Sequence, residues 1–204
     1  ASGNVGIGTT VPGAPLNVTS AYSSEALTTS LKLSTIGGYS SSAGTSLDFG
    51  SDQGTYPTWL TAQIAGRKDG GDWRGALEFS TNNDASATDL VRRLKINGNG
   101  DISFYEDTGT TQKFFWDSSA EALGIGTSSP ALTLALSGGT GSAPAASGTT
   151  QNGTFRIRTA ANGVLDMGSV SATGAGWLQA ADQTNLAISY NLLLNPNGGN
   201  VGIG

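Results

Sequence analysis

The sequence predicts an all-β protein with little or no helix, and three observations lead to this prediction. Short apolar runs with a period of two residues recur along the chain, each bounded by Gly, Ser, Asn or Asp. A glycine-rich phrase occurs three times. Helical periodicity is almost absent, and the two best helix candidates, 23–29 and 85–94, are short.

Five of the apolar runs show the alternation clearly. In each, two large apolar residues stand two positions apart, so that both side chains point to one face of a strand. We therefore expect many strands of about five residues. The five runs are SLKLS (30–34), SLDFG (46–50), ALEFS (76–80), RRLKIN (92–97) and TFRIRT (154–159).

The repeated phrase reads GNVGIGTTVP at 3–12, LGIGTSSP at 123–130 and GNVGIG at 199–204. An alternating stretch follows the first two copies, and in the second of these Leu132, Leu134 and Leu136 share one face. A looser relative, INGNGDISF (96–104), has an Asn-Gly turn before a short strand. Glycines spaced in this way mark either a phosphate-binding loop or the turns of a repeating β-structure.

A nucleotide-binding loop requires a helix directly after its glycines, so that the helix N-terminus can receive the phosphates. Here Gly6-Ile7-Gly8 is followed by Pro12 and Pro15, which prevent a helix from starting at this point. The chain also lacks the Gly-Lys-Ser/Thr of a Walker loop. The phrase is therefore interpreted as a strand and a structural turn.

Composition excludes several classes of chemistry. The 204 residues include no cysteine and no histidine, which removes disulfides, thiol nucleophiles, Cys/His zinc sites and histidine acid–base catalysis. The net charge of −5 argues against nucleic acid and anionic membrane as partners, and the cationic RRLK (92–95) describes a strand with one solvated face. No apolar run approaches the ~20 residues of a membrane-spanning helix, and the polar start predicts no signal peptide.

The chain contains few of the large apolar side chains that a hydrophobic core within one chain requires. Charged residues make up 12%, against roughly 25% in typical soluble domains, and 31 residues are glycine. Ordering so many glycines is entropically costly, while large apolar side chains are sparse. The apolar side chains are therefore expected to be buried against partner chains.

Composition also predicts the organisation of the chain. Residues 1–136 form the first β-module or modules, with an aromatic hairpin inserted near 105–122 that turns at Asp107–Gly109 and returns through Phe114–Trp116. The Gly/Ser/Ala-rich stretch 137–153 is a linker or long loop, and 154–204 form a second β-module.

We assign no catalytic, cofactor-binding or metal-binding residues and expect no cofactor. The acidic residues are scattered except for Glu106-Asp107 and the Asp69/Asp72 pair, which lie in turn-like segments. A glycan-cleaving carboxylate pair assembled across strands or chains stays open as an alternative. The NGNGD segment (97–101) lacks the spaced carboxylates of a calcium loop and is interpreted as a β-turn. Packing is favoured over carbohydrate stacking for the four tryptophans, Trp59, Trp73, Trp116 and Trp177.

Longer phrases of the chain resemble the shaft repeats of phage tail fibres and tailspikes, especially those of marine and cyanobacterial phages. In that family a phrase of the type RLRI…GNVGIGT..P…L.V recurs along the shaft. One departure is that GNGDISF stands where the family often has GNVGIG after RLKI. The family often carries a C-terminal chaperone peptidase domain, to which nothing here corresponds. The matching phrases are GNVGIGTTVP (3–12), LVRRLKINGNGDI (90–102), KFFWDSSAEALGIGTSSP (113–130), GVLDMGSV (163–170), GWLQAADQTNL (176–186) and YNLLLNPNGGNVGIG (190–204).

The resemblance implies an elongated parallel homotrimer, with short strands in prism- or sandwich-like β-modules around a three-fold axis and with Val5 and Ile7 turned inward. It implies a non-enzymatic, structural and adhesive segment of a tail fibre, located in the virion and hence extracellular. Its partners would be other tail or baseplate proteins and a host-surface receptor, expected to be a glycan, with neither nucleic acid nor membrane insertion involved. The alternatives are a glycan-cleaving tailspike depolymerase and a bacterial trimeric surface adhesin or filament.

Overall fold

A computed structural model describes residues 3–18, 32–34, 44–53, 56–70, 74–83 and 88–203, with the backbone alone at 51–53 and 56–58. Within these ranges the chain is all-β and contains no helix, which confirms the predicted fold class at this level. The same ranges include no helix that could cross a membrane. Their strands are β1 (Val5–Ile7), β2 (Leu16–Val18), β3 (Gly44–Gln53), β4 (Tyr56–Lys68), β5 (Gly75–Asn82), β6 (Leu90–Ile96), β7 (Ile102–Tyr105), β8 (Gln112–Asp117), β9 (Ala122–Ile125), β10 (Leu134–Leu136), β11 (Phe155–Arg158), β12 (Gly163–Val170), β13 (Ala175–Asp182) and β14 (Asn185–Ser189).

Both helix candidates can be placed against these strands. The first, 23–29, lies outside the described residues. Residues 90–94 of the second belong to β6, where the alternation of Leu94 and Ile96 with charged residues gives a strand. Of the five apolar runs, SLDFG, ALEFS, RRLKIN and TFRIRT fall in β3, β5, β6 and β11, while Leu31 of SLKLS lies outside the described residues.

The chain divides into two compact units, Ala1–Leu90 and Val91–Gly204. The module boundary predicted at 137–153 concerns another part of the chain and stays a prediction. In the first unit β3, β4 and β5 lie side by side in antiparallel order, with Leu47, Ile64 and Phe79 directly opposite one another.

In the second unit β6 to β9 follow one another in antiparallel order, and β10 pairs with β9 in parallel. The connection between β7 and β8 turns at Gly109, whose φ of 72° favours glycine. A side chain at Gly109 would also collide with Val91 and with the backbone of Arg92. This hairpin places two aromatic strands next to each other.

A second set of antiparallel strands, β11 to β14, completes the second unit. Val164, Ala181 and Leu186 form its small core, against which Ala145 packs from the irregular stretch 137–153. Backbone amides of Ser171 and Leu186 donate to carbonyls of that stretch, at 2.8 and 2.9 Å. The glycine-rich stretch therefore covers one face of these strands.

The repeated phrase forms the same structure in both of its complete copies. Val5, Gly6 and Ile7 pair in parallel with Leu16, Asn17 and Val18, and Leu123, Gly124 and Ile125 pair in parallel with Leu134, Ala135 and Leu136. A glycine at φ 78° (Gly8) or 79° (Gly126) directly follows the first strand of each pair. The phrase is thus a parallel strand pair with a glycine turn.

Candidate functional site

The most distinctive feature of the second unit is a sheet face built entirely from large apolar side chains. Register places Leu94 opposite Phe104, Phe104 opposite Phe114, Phe114 opposite Ile125, and Ile125 opposite Leu136. Side chains in register across a sheet point to the same side. Five neighbouring strands therefore contribute one unbroken apolar row.

A second row lies two residues further along the same strands and hence on the same side. The two rows together are called the ten-residue face. None of the ten side chains is fully buried, and Phe104, Ile125 and Leu134 are exposed at 46%, 44% and 53%. The second row consists of Ile96, Ile102, Trp116, Leu123 and Leu134.

The opposite side of these strands carries smaller and more polar residues, yet it is the better buried side. Ser103, Phe115 and Gly124 are opposite one another there, and all three are buried. Gln112 Nε2 donates to Ser103 Oγ at 2.9 Å, which satisfies the buried hydroxyl. The distribution is the reverse of that in a monomeric β-protein, where the largest apolar side chains lie inside.

The first unit repeats this arrangement on β3 to β5. Leu47, Phe49 and Leu77 are exposed on the side that also holds Ile64 and Phe79. The other side buries Ala65, Ala76 and Glu78, and Arg67 Nε donates to Glu78 Oε2 at 2.9 Å. A charged pair therefore lies on the better buried side, opposite exposed leucines.

The strands β11 to β14 show the same asymmetry a third time. Phe155, Met167 and Leu178 are opposite one another and exposed. On the other side Arg156 binds the buried Asp166 with Nε and Nη2, the latter at 2.8 Å from Oδ2. The hydrogen bonds that Arg156 donates to the Asp166 carboxylate raise the pKa of Arg156.

Exposed apolar faces of this size mark surfaces that bind other molecules. Each of the three strand sets leaves such a face open, and the ten residues of the ten-residue face are all uncharged. A flat apolar face without charge can pack against an identical face without leaving a buried unpaired charge. The three faces are therefore the candidate assembly surface of this chain.

The described carboxylates with shifted pKa values are acceptors in turns. Hydrogen bonds from the backbone amides of Thr111 and Thr108, and from the Thr108 hydroxyl, hold the pKa of Glu106 well below its usual range. The pKa of Asp117 is lowered by the Ser119 hydroxyl and the Ala120 amide. Bonds from the Thr184 hydroxyl and amide do the same for Asp182.

The NGNGD segment forms a turn that is closed by its own aspartate. Partial burial acts to raise the pKa of Asp101, but bonds from Ser118, Asn97 and Asn99 outweigh it and lower that pKa. Both carboxylate oxygens of Asp101 accept from N–H or O–H donors at 2.8 to 3.2 Å. Its oxygens therefore accept the hydrogen bonds that stabilise the turn. In the described part of the chain, no group of three or more acidic residues could hold a metal ion.

A recess of about 310 Å³ lies beside the Arg156–Asp166 pair. Gln151 is fixed in its wall, because its Oε1 accepts from the amides of Ala145 and Asn152 at 2.6 and 2.9 Å. The charges of Arg156 and Asp166 compensate each other, and the rest of the lining combines hydroxyl and amide groups with the apolar Phe155. Its other polar lining residues are Thr149, Thr150 and Thr154.

The tryptophans with described side chains occupy different environments. Trp116 belongs to the ten-residue face. Trp177 packs over Gly168, where a side chain would collide with its ring, and its Nε1 donates to the Ser142 carbonyl at 3.1 Å. Trp59 is exposed at 37%, and Trp73 lies outside the described residues.

Comparison with known proteins assigns no family to the chain. No protein-family model matches it, and no curated protein is significantly similar to it.

Proposed function

We propose that this chain is a structural and adhesive segment of a phage tail fibre, assembled as a parallel homotrimer that positions or contributes to host-receptor binding. One observation carries the proposal: in each of the strand sets β3–β5, β6–β10 and β11–β14, a row of large apolar side chains lies on the more exposed face. A single chain gains little from such residues, whereas three chains that pack these faces together bury them.

The magnitudes support assembly through more than one face. Fully burying a large apolar side chain is worth about 1.5–3 kcal/mol. Three of the ten side chains are about half exposed and the others less, so completing their burial gives roughly 5–9 kcal/mol per chain. Association costs about 4–15 kcal/mol in lost translational and rotational freedom. The ten-residue face alone would therefore give marginal binding. Burial of the further apolar faces on β3–β5 and β11–β14 adds the free energy that stable association requires.

The assignment to a tail fibre rests on the resemblance of the GNVGIG phrases to fibre-shaft repeats. Both complete copies form parallel strand pairs joined by glycine turns, which is the behaviour expected of a repeating shaft unit. Antibodies raised against the chain should label the tails of virus particles. Labelling of bacterial cell surfaces without particles would favour the adhesin instead.

A non-catalytic role fits the described carboxylates better than glycan cleavage does. The general acid of a glycosidase needs a raised pKa, whereas Glu106, Asp101, Asp117 and Asp182 all have lowered ones. Incubation with capsular polysaccharide or lipopolysaccharide should release no reducing ends. Sustained release that one carboxylate-to-amide substitution abolishes would assign the chain to the depolymerases.

The receptor contact of this proposal is the recess beside Arg156. Its volume is near the lower end of that of small-ligand sites, and its hydroxyl and amide lining suits an uncharged saccharide. Titration with neutral oligosaccharides should shift the amide NMR signals of 149–156. Shifts confined to other parts of the chain would place the receptor contact elsewhere.

A further inference from the structure

Asparagine followed by glycine is the dipeptide most prone to losing its side-chain amide spontaneously, because glycine has no side chain to hinder its own backbone nitrogen. The chain contains five such dipeptides, and all of them lie among the described residues. They are Asn97-Gly98, Asn99-Gly100, Asn152-Gly153, Asn162-Gly163 and Asn197-Gly198.

The reaction requires two groups to be free. The backbone nitrogen of the glycine loses its proton and attacks Cγ of the preceding asparagine, which forms a cyclic succinimide and releases the side-chain nitrogen as ammonia. Water then opens the ring at either carbonyl and leaves aspartate or isoaspartate. A hydrogen bond that fixes the asparagine side chain, or one that holds the glycine amide, opposes the first step.

Hydrogen bonds oppose this step at Asn97 and Asn99. Asn97 Oδ1 accepts from the Asp101 amide at 2.9 Å, and its Nδ2 donates to Asp101 Oδ2 at 3.2 Å. Asn99 Nδ2 donates to the same oxygen at 3.0 Å. The amide of Gly100, which would have to attack Asn99, donates to the Asn97 carbonyl at 3.0 Å. Both asparagines are therefore held in the turn that Asp101 closes.

At two further dipeptides one of the reacting groups is engaged. Asn152 Nδ2 donates to the Ala143 carbonyl at 2.8 Å, which fixes the side chain that would be attacked. The amide of Gly198 donates to the Asn195 carbonyl at 3.1 Å, which holds the nitrogen that would attack Asn197. Each of these bonds must break before the ring can form.

Asn162 differs from the other four. It is exposed in the connection between β11 and β12, and within the described ranges its side chain makes no hydrogen bond. Gly163 lies opposite Asp182, and the Gln183 amide donates to the Asn162 carbonyl at 2.9 Å, which makes Gly163 and Asp182 a non-hydrogen-bonded pair. Towards β11, the Gly163 carbonyl accepts from the Thr159 amide, while the Gly163 amide donates to no described residue. Both reacting groups are therefore free here.

We infer that Asn162 is a self-modification site, which converts to aspartate and isoaspartate faster than the other four Asn-Gly asparagines of the folded chain. The only co-reactant is water. The product carries a new negative charge, and isoaspartate also lengthens the main chain by one methylene at residue 162. The carbonyl of that residue holds the Gln183 amide, and Val164 of the core follows two positions later. The modification therefore weakens the strand set β11–β14, and it does so whether or not the chain belongs to a phage.

The experiment is to incubate the folded chain, and the same chain in concentrated urea, in one mildly alkaline buffer and to follow each Asn-Gly peptide by mass spectrometry. Conversion adds about 1 Da to a peptide, and an isoaspartyl methyltransferase identifies the isoaspartate. In the folded chain the Asn162 peptide should convert at least about fivefold faster than each of the other four. In urea the five rates should lie within about threefold of one another, because the hydrogen bonds that distinguish the sites are lost.

Gly163→Ala tests the attacking nitrogen. The new Cβ would lie 3.4 Å from Thr159 Oγ1, an ordinary contact, so the fold should be kept. Its methyl group hinders the attack and should slow conversion of Asn162 at least about fivefold, with the other four peptides as internal controls. Equal rates in the folded chain, a faster reaction at another of the five dipeptides, or the same order of rates in urea would each overturn the inference.

Asn162→Gln tests the consequence, since its longer side chain disfavours ring formation. After prolonged incubation the wild-type chain should unfold at a lower urea concentration than before, whereas Asn162→Gln should keep its midpoint. An unchanged midpoint in fully converted wild-type protein would overturn the weakening of β11–β14.

Discussion

Phe104 and Phe114 are cross-strand partners on β7 and β8, with ring centroids 5.2 Å apart and ring planes at 88°. This edge-to-face contact lies in the middle of the ten-residue face, yet Phe104 stays 46% exposed. An aromatic pair contributes about 0.5–1.5 kcal/mol beyond its buried area, and the exposed remainder is available to a partner.

Phe104→Asp should prevent assembly, because it places a charge in the apolar face that partner chains are proposed to cover. The matched control is Lys113→Gln, which makes the same one-unit change in charge on the other side of β8. Size-exclusion chromatography with light scattering distinguishes the two variants. Equal behaviour of both variants would show that the ten-residue face is not an interface.

Ile7→Asp should weaken assembly through the repeat, since symmetry would bring three unpaired charges together at the axis proposed for Val5 and Ile7. Ile203→Asp should do the same in the third copy. Thr10→Asp, on the exposed turn of the first copy, serves as the control. Unchanged thermal stability and oligomeric state of both isoleucine variants would show that these side chains do not face the trimer core.

Gly126→Ala should destabilise the β9–β10 pair more than Gly148→Ala destabilises its own loop. Both glycines have φ of 79°, which costs an alanine about 1–2 kcal/mol. Only at Gly126 would the new side chain also collide with a carbonyl, that of Ser137, whereas nothing lies within 4 Å at Gly148. Urea unfolding measures the difference, and equal losses would contradict the described turn.

Asp166→Asn should cost about 3 kcal/mol, because it leaves the Arg156 guanidinium without its charged partner at a site where Asp166 is 1% exposed. The double variant Arg156→Met with Asp166→Leu should recover most of that loss in stability, since two apolar side chains leave no charge without a partner. Urea unfolding of the three proteins measures both effects. A double variant as unstable as the single one would show that packing, not charge, dominates at this position.

Glu106→Gln should make the free energy of unfolding depend less steeply on pH under acidic conditions. The folded-state pKa of Glu106 is depressed, so its contribution is complete above the unfolded value of about 4.3 and is lost as pH falls through the folded value. The unfolding free energy of the wild-type protein should therefore fall more steeply below about pH 5 than that of the variant. Identical slopes for wild type and Glu106→Gln would contradict the described turn.

Alternation within the sequence predicted where strands form. Which side chains of different strands share one face of a sheet follows only from the pairing register. The alternation at Leu47 and Phe49, at Leu77 and Phe79, and at Leu94 and Ile96 is visible in the sequence, and these residues do lie in strands. That Leu94, Phe104, Phe114, Ile125 and Leu136 form one row follows only from the alignment of five strands. Periodicity fixes the side of each residue within its own strand and carries no information on its neighbours across the sheet.

The repeated phrase was likewise predicted from the sequence only in part. Its recurrence and its glycine turns were evident from the residues, but the parallel pairing of Val5 with Leu16 was not. A connection of eight residues, 8–15, crosses over to a parallel strand because Gly8 and the Gly6–Thr9 contact bend it tightly. The Arg156–Asp166 pair likewise required the β11–β12 register, since ten positions separate the two residues along the chain.

The measurement that tests the proposed assembly most directly is sedimentation equilibrium of the purified chain, with native mass spectrometry as a second readout. A homotrimer predicts a single species of three chain masses that persists on dilution through the micromolar range, and that Phe104→Asp converts to smaller species. A stable monomer with cooperative unfolding and a Tm independent of concentration would contradict assembly through the exposed apolar faces.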